Sequence, residues 1–185
     1  GIVYKARDVV TKQYVALKRC IPHHESSDGF PLTTIREIHA LRMCSRHPNI
    51  VNLLHVAVSA GKQHGNSSSN KNSISSSNAN DTNNKAGMVG GTFLAFEYCP
   101  HDIAKIIDRH HQRTKSSPFS LPQVKRLLHQ LLSAIQHCHD RCIIHRDIKM
   151  SNLLYSVTGD LKLADFGLAR QWSPRRREMR ESKRR

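Results

Sequence analysis

One loop motif limits what this chain can fold into more than any other feature of its sequence. It reads His145-Arg146-Asp147-Ile148-Lys149-Met150-Ser151-Asn152, it lies between short apolar runs, and Asp165-Phe166-Gly167 follows it downstream. Short apolar runs around a polar loop predict strands that hold the loop on a rigid scaffold, where functional side chains are often found. Both motifs in this order and spacing are far more specific than either one alone.

The polar residues of these two motifs match the requirements of phosphoryl transfer. That reaction needs a carboxylate to accept the hydroxyl proton, and oxygen ligands to hold magnesium on the phosphates. We predict that Asp147 is the base and that Asn152 and Asp165 are the metal ligands. Lys149 is predicted to stabilise charge on the group in transfer.

A second pair of charged residues lies closer to the N-terminus. Lys18 ends the apolar segment Val15-Ala16-Leu17, and Glu37 follows on the next predicted helix. One class of enzymes that transfer phosphate from ATP uses a Lys–Glu pair to hold the α- and β-phosphates. Thr34 and Glu37 also fit a helix capping box, in which Glu37 would accept a backbone N–H instead. We favour the ion pair because the downstream motifs are present.

The apolar patterns predict a small sheet followed by helices. The predicted strands are two within 1–20, with a turn at 9–12, and then 50–58, 92–98, 142–144, 153–155 and 161–163. The predicted helices are 31–44, 102–111 and a long helix after Ser120. Leu32, Ile35, Ile38 and Leu41 lie on one side of the first helix. Ser120 and Gln123 fit a capping box at the start of the last one.

Two segments differ from the rest of the chain in composition. Residues 61–91 are dominated by Ser, Asn and Gly, so we predict a disordered loop insertion between two strands that pair with each other. Residues 171–185 hold seven Lys and Arg against two Glu, which predicts a disordered basic tail. This tail is either a nuclear localisation patch or a segment without a selected role. We favour the second because the tail begins where the regular pattern stops.

The formal net charge of +15 favours acidic partners. We do not expect nucleic acid among them, because no basic stripe is interleaved with aromatic residues. No apolar run approaches the ~18 residues that span a bilayer, so we expect no membrane partner.

The cysteines of the chain are five in number and scattered, which favours reduced thiols in an intracellular compartment. His137, Cys138, His139 and Cys142 lie close together, but zinc sites generally take ligand pairs from two places. We therefore do not favour a zinc site.

These motifs together resemble the cyclin-dependent branch of the eukaryotic protein kinases. The matching segments are 31–37 (Pro-Leu-Thr-Thr-Ile-Arg-Glu), 47–51, 138–139, 145–152 and 164–170. The first of them is similar to the cyclin-binding helix signature of that family. Segments 28–31 and 149–152 lean toward the PITSLRE-type and transcription-linked members. The resemblance covers 1–170 apart from the Ser/Asn insertion.

The resemblance implies an α+β fold with two lobes. Residues 1–99 would form the N-terminal lobe, an antiparallel sheet with one helix, without its first strand. Residues 100–170 would form part of a mostly helical C-terminal lobe. We expect the chain to be incomplete at both ends.

The resemblance also assigns roles around ATP and Mg²⁺. Gly1 would end a Gly-rich phosphate loop, Asp102 would reach the ribose, and Phe96 would close the back of the pocket. Glu97 and Cys99 would present backbone groups to the adenine. The residues that would sandwich the adenine are Val3, Ala16 and Leu154, and those that would receive a phosphothreonine are Arg36, Arg146 and Arg170.

The activity implied is transfer of the γ-phosphate of ATP to Ser or Thr, before Pro, in a protein substrate. A cyclin would bind the helix at Pro31–Glu37. We expect the nucleus as location, with the cytoplasm as the alternative. The alternative function is a truncated, non-catalytic kinase that binds a cyclin, and we expect this chain alone to have little or no activity.

Overall fold

The computed structural model of the chain describes residues 2–20, 31–59 and 91–172. The helices of this part are α1 (Leu32–Met43), α2 (Ile103–Thr114) and α3 (Leu121–Asp140), with 3-10 turns at Met150–Asn152 and Phe166–Leu168. The strands are β1 (Val3–Arg7), β2 (Tyr14–Cys20), β3 (Leu53–Ser59), β4 (Gly91–Glu97), β5 (His101–Asp102), β6 (Ile143–Ile144), β7 (Leu153–Tyr155), β8 (Leu161–Leu163) and β9 (Arg170–Gln171).

The first half of the fold is a four-stranded antiparallel sheet in the order β1-β2-β4-β3. The predicted reversal between β1 and β2 is confirmed. Asp8 Oδ1 accepts the N–H groups of Val10 and Thr11 at 2.7 and 2.9 Å, which closes the turn. Lys18 lies opposite Val3 on one side and Leu94 on the other, so β2 is a central strand.

Helix α1 was predicted correctly in extent, and the C-terminal half of its predicted apolar side, Ile38 and Leu41, packs into the core. The buried residues are Thr34, Glu37, Ala40 and Leu41. Leu32 and Ile35 remain 67% and 48% exposed, so the apolar side of its first two turns faces solvent. The helix begins after Pro31 without a side-chain cap, and Thr34 lies inside it. The capping-box alternative for Glu37 is therefore wrong.

The second half of the fold consists of α2 and α3, the antiparallel sheet β5-β7-β8 and the ribbon β6-β9. The start of α3 follows its predicted signal, because the Ser120 N–H donates to Gln123 Oε1 at 2.8 Å. The helix buries a narrow stripe of Leu127, Ala134 and Cys138, while Leu128 and Leu132 are exposed. No helix in the described residues is long and apolar enough to cross a membrane.

The two halves share one hydrophobic core. Its least exposed large side chains are Phe166, Leu94, Ile143, Leu161, Leu163, Cys44 and Cys138, drawn from both halves. The segment after α1 joins them directly, because the Val51 N–H donates to the Leu163 carbonyl at 2.9 Å. The predicted α+β architecture, a sheet with one helix followed by a mainly helical part, is confirmed.

Two predicted boundaries need correction. Gly91 was placed in the insertion, but it is the first residue of β4 and pairs with Ser59. Gln171 was placed in the disordered tail, but it pairs with Ile143, and the Trp172 N–H donates to the Cys142 carbonyl at 2.9 Å. Backbone groups at the edge of β6 need partners, and these residues supply them. The rest of both predictions, 61–90 and 173–185, lies outside the described residues.

Asn49 is a buried polar residue whose side chain is needed at the junction of the two halves. Its Nδ2 donates to the Leu161 carbonyl at 2.9 Å. We expect Asn49→Ala to lower the free energy of unfolding by about 1–3 kcal/mol, because the Leu161 carbonyl loses its buried partner. Asn52→Ala is the matched control, since in the described part of the chain Asn52 bonds through its backbone alone. Urea unfolding measures both, and equal losses would contradict this role.

Candidate active site

A cleft of about 620 Å³ opens between the first sheet and the β5-β7-β8 sheet. The segment 97–102, which connects the two sheets, forms one wall of the cleft. The predicted site residues that line it are Val3, Ala16, Lys18, Glu37, Phe96, Glu97, Cys99, Asp102, Asn152, Leu154 and Asp165. Asp147 and Lys149 lie on the adjoining loop, and Gly1 is outside the described residues.

One end of the cleft carries the residues predicted to contact a base and a ribose. Asp102 is fixed as the N-cap of α2, where its Oδ1 accepts the Lys105 N–H at 2.8 Å. Glu97 cannot offer its N–H to a ligand, because that group donates to the Asn52 carbonyl at 3.0 Å. The Glu97 carboxylate is held as well, by Lys162 Nζ at 2.9 Å. Both ends of this wall of the cleft, Glu97 and Asp102, are therefore held by contacts outside the cleft or within α2.

The Lys18 ammonium joins three elements at the inner end of the cleft. Its Nζ lies 2.8 and 2.9 Å from the two Glu37 oxygens and 2.8 Å from Asp165 Oδ1. The predicted Lys18–Glu37 pair is thus present. The third partner, Asp165, was not predicted for Lys18, because the two residues are far apart in the sequence.

Burial and charge act against each other at this ion pair. Burial alone would lower the pKa of Lys18, but the carboxylates of Glu37 and Asp165 outweigh it and the pKa is raised. Burial raises the pKa of Glu37, and the attraction of Lys18 only partly offsets this. The charge on Glu37 therefore depends on Lys18.

Asp147 is held by the other polar residues of its loop. Its Oδ2 lies 2.9 Å from Lys149 Nζ, and Asn152 Nδ2 donates to both its carbonyl and its Oδ2 at 2.9 Å. The hydrogen bond from Lys149, followed by that from Asn152, keeps the pKa of Asp147 below its usual value despite opposing desolvation. Asp147 is therefore an ionised acceptor with a fixed orientation.

His145 links the two motifs. It is buried, its Nε2 donates to the Ala164 carbonyl at 3.0 Å, and its Nδ1 accepts the Asp147 N–H at 3.3 Å. Its ring meets the buried ring of Phe166 edge-on, with centroids 4.6 Å apart. These contacts fix the position of Asp147 relative to the Asp165 segment.

Asp165 adopts an uncommon backbone conformation, with φ of 63°. A left-handed conformation is unfavourable for most residues but tolerated by Asp. The burial of Phe166 next to it holds the conformation in place. Burial would raise the pKa of Asp165, but the hydrogen bond and charge of Lys18 outweigh it and the pKa is lowered.

The oxygens of Asn152 and Asp165 fit a magnesium ion. Asn152 Nδ2 is turned toward Asp147, and Asp165 uses Oδ1 for Lys18. Asn152 Oδ1 has no hydrogen-bond partner within the described residues, and Asp165 Oδ2 is not used by Lys18, so both oxygens are available on the cleft side. Mg²⁺ prefers hard oxygen ligands and usually takes few of them from the protein.

Arg36, Arg146 and Arg170 lie close together, as predicted for a phosphate pocket. Burial, and then repulsion from Arg36 and Arg146, lowers the pKa of Arg170. None of the three forms an ion pair with a carboxylate in the part of the chain that the structure describes. The cluster thus has uncompensated positive charge.

Sequence reasoning missed several residues that line the cleft, namely Lys5, Val51, Tyr98, Lys105 and Arg109. Lys5 could have been found, because alternate strand residues share a face and Val3 was predicted there. Lys105 and Arg109 follow Asp102 at helical spacing. Tyr98 and Val51 carried no comparable signal.

Two of the residues considered for zinc, Cys138 and His137, have other contacts. The thiols of Cys138 and Cys44 interact in the core, and the His137 ring lies 4.6 Å from the His47 ring. No group of three or more His, Cys, Asp or Glu is arranged to hold a metal ion among residues 2–20, 31–59 and 91–172.

Comparison with known proteins adds a family match and several relatives. The protein kinase domain model matches residues 1–183. Probable cyclin-dependent kinase 10 of Dictyostelium discoideum is 41% identical over 173 residues, which are 93% of this chain and 38% of that protein. Cyclin-dependent kinase C-2 of Arabidopsis thaliana is 39% identical over 94% of this chain and 30% of its own. Cyclin-dependent kinase 11.1 of Caenorhabditis elegans is 38% identical over 93% and 20%. The chain thus spans well under half the length of these relatives.

Proposed function

The chain belongs to the protein kinase family and is of the cyclin-dependent type, and on that premise we propose that the protein transfers the γ-phosphate of ATP to Ser or Thr before Pro. The observation that carries the proposal is the placement of Lys18 between Glu37 and Asp165, beside the Asp147 loop. This is the set of groups that phosphoryl transfer requires.

ATP fits the cleft with its adenine toward residues 97–102 and its phosphates toward Lys18. Val3 and Ala16 from the first sheet and Leu154 from β7 would cover the two faces of the base. Asp102 would reach the ribose. Asn152 and Asp165 would hold Mg²⁺, which when bound neutralises charge on the phosphate oxygens.

The acceptor hydroxyl is placed by Asp147. As the hydroxyl oxygen bonds to the γ-phosphorus, the bond from that phosphorus to the oxygen of ADP breaks, and the hydroxyl proton passes to the Asp147 carboxylate. Lys149, 2.9 Å from Asp147, offsets negative charge on the transferring group. Asn152 keeps the carboxylate oriented through its two hydrogen bonds.

A cyclin is the proposed activator, and α1 is its proposed binding site. Leu32 and Ile35 expose apolar side chains on one side of this helix, while Glu37 faces Lys18 on the other. A partner that covers the apolar side would fix the helix and with it the Lys18–Glu37 pair. The nearby cluster of Arg36, Arg146 and Arg170 would receive a phosphothreonine.

Two further proposals concern the location of the protein and its second candidate function. We place the protein in the nucleus, with the cytoplasm as the alternative, because of its family and the basic segment 171–185. A non-catalytic protein that binds a cyclin is the second candidate function, and the exposed side of α1 would serve it as it serves the first candidate.

The proposal is tested with the full-length protein, alone and with a purified cyclin, in the presence of Mg²⁺ and ATP. Three peptides that differ only in the acceptor segment, Ser-Pro, Ser-Ala and Tyr-Pro, are compared by kcat/KM. We expect phosphorylation to require the cyclin and to favour Ser-Pro by about 10-fold or more. Equal use of Tyr-Pro, or full activity without cyclin, would overturn the proposal. Cyclin binding without any phosphorylation would support the second candidate.

A pair of variants tests the cyclin site within the same assay. Ile35→Asp places a charge on the apolar side of α1, and we expect it to weaken cyclin binding by about 10-fold or more. Val157→Asp makes the same change at an exposed position in the turn before β8 and serves as the control. Equal affinities for the two variants would place the cyclin elsewhere.

A further inference from the structure

The outer mouth of the nucleotide cleft is bordered by positive charges from both halves of the fold. Lys5 comes from β1, and Lys105 and Arg109 come from α2, yet all three line the same cleft. None of them belongs to the set that holds Mg²⁺ or the acceptor hydroxyl. Three cations at one place indicate that this part of the cleft binds an anionic ligand, and the following observations point to one other than the ATP phosphates.

Lys5 is fixed in position by two aromatic rings. Its Nζ lies 4.1 Å from the centroid of the Tyr14 ring and 4.7 Å from that of Tyr98. Such contacts orient an ammonium group without neutralising its charge. In the described residues no carboxylate pairs with Lys5.

Helix α2 extends this positive charge away from the cleft. Lys105, Arg109 and Arg113 are four residues apart, so they follow one another along one side of the helix. Lys105 pairs with Asp102 at 2.8 Å, whereas Arg109 and Arg113 have no carboxylate partner in the described part of the chain. Asp108 lies at the edge of this row. Together with Lys5, the row thus contains four cations, whereas its nearby carboxylates, Asp102 and Asp108, number two.

The ammonium of Lys5 is directed away from Lys18. Lys5 lies opposite Ala16 on β2, but its Nζ contacts the ring of Tyr14, which is two residues farther from Lys18 along that strand. The row from Lys105 to Arg113 is about 12 Å long. That length matches an extended peptide of about four residues, and a single phosphate group would not reach from one end to the other.

We propose that α2 recognises acidic protein substrates, in which two or more Asp or Glu lie within about four residues of one another near the phosphorylated Ser or Thr. That the bound peptide is a substrate rests on the proposed function. That an acidic peptide binds to α2 does not depend on it. The acidic side chains bind Arg109 and Arg113, with Lys5 and Lys105 at the mouth of the cleft.

The test measures peptide binding and phosphorylation separately. The full-length protein with its cyclin is titrated with labelled Ser-Pro peptides that carry Asp-Glu-Asp-Glu, or Asn-Gln-Asn-Gln, before or after the acceptor. Fluorescence anisotropy gives the Kd, and transfer from ATP gives kcat/KM. We expect one of the acidic peptides to bind about 5- to 10-fold more tightly than its neutral counterpart, because exposed ion pairs each contribute little.

Matched variants decide where the peptide binds. Arg109→Glu should abolish the preference and create one for a Lys-Arg-Lys-Arg peptide, whereas Lys125→Glu, an exposed charge reversal on α3, should leave the preference intact. Equal affinities for acidic and neutral peptides, or equal effects of the two variants, would overturn the inference. Acid preference in binding without any phosphate transfer would uphold it and refute the proposed function.

Discussion

The substitution Asp147→Asn is expected to lower kcat by about 100- to 10,000-fold and to leave the KM for ATP close to that of the wild-type protein. Asparagine has almost the shape of aspartate and can keep a bond to Asn152, but its amide oxygen cannot accept the hydroxyl proton. Asp147 does not line the nucleotide cleft, so nucleotide binding should not depend on its charge.

Steady-state kinetics on a Ser-Pro peptide, with the full-length protein and its cyclin, measure this effect. Asp140→Asn removes an exposed carboxylate at the end of α3 and serves as the control. If the Asp147 variant kept more than about a tenth of the wild-type kcat, Asp147 would not be the base.

The substitution Lys18→Met is expected to lower the free energy of unfolding by about 3–5 kcal/mol and to abolish activity. The Glu37 side chain is only 6% exposed, and without Lys18 its charge would be buried without compensation. Asp165 loses a partner as well, but it is partly exposed and can be hydrated.

The double variant Lys18→Met/Glu37→Leu separates stability from activity. Replacing both members of a buried ion pair with apolar residues is often neutral or stabilising, so we expect the stability to recover while the activity stays lost. Urea unfolding provides the free energies, with a constant m-value as the check on two-state behaviour. A double variant no more stable than the single one would show that Glu37 is not the cause.

The loss of stability in Lys18→Met should depend on pH. Burial raises the pKa of Glu37 in the folded protein above its ordinary value of 4.5, and removal of Lys18 raises it further. The destabilisation is therefore complete at a pH above the pKa of Glu37 in the folded variant. It disappears as the pH falls below the pKa of Glu37 in the unfolded chain.

Local signals in the sequence were sufficient for much of the fold. The turn after β1 depends on Asp8 and its own neighbours, and the start of α3 depends on Ser120 and Gln123. Both features are formed by residues a few positions apart, so they can be recognised in the sequence. The order of residues in the Asp147 loop likewise predicted a set of polar groups on one loop, but the contacts of Asp147 with Lys149 and Asn152 were seen only in the structure.

Apart from the Lys18–Glu37 pair, the contacts between distant segments could not be determined from the sequence. The apolar residues of α1 share one side, but only Ile38 and Leu41 pack into the core, while Leu32 and Ile35 stay exposed and Glu37 is buried where Lys18 compensates its charge. The link from His145 to Ala164 and Phe166, and the left-handed conformation of Asp165, depend on the packed core. The spacing of the cations on α2 is visible in the sequence, but only the structure shows that they lie beside the cleft.

The most direct test of the central claim is to follow the γ-phosphate of ATP itself. The full-length protein with its cyclin is incubated with Mg²⁺, γ-labelled ATP and a Ser-Pro peptide, and the labelled product is located by mass spectrometry. We expect one phosphate on the serine oxygen for each ADP released, and no transfer when EDTA removes the metal. Release of ADP with free phosphate and an unmodified peptide would contradict the claim that this cleft transfers phosphate to proteins.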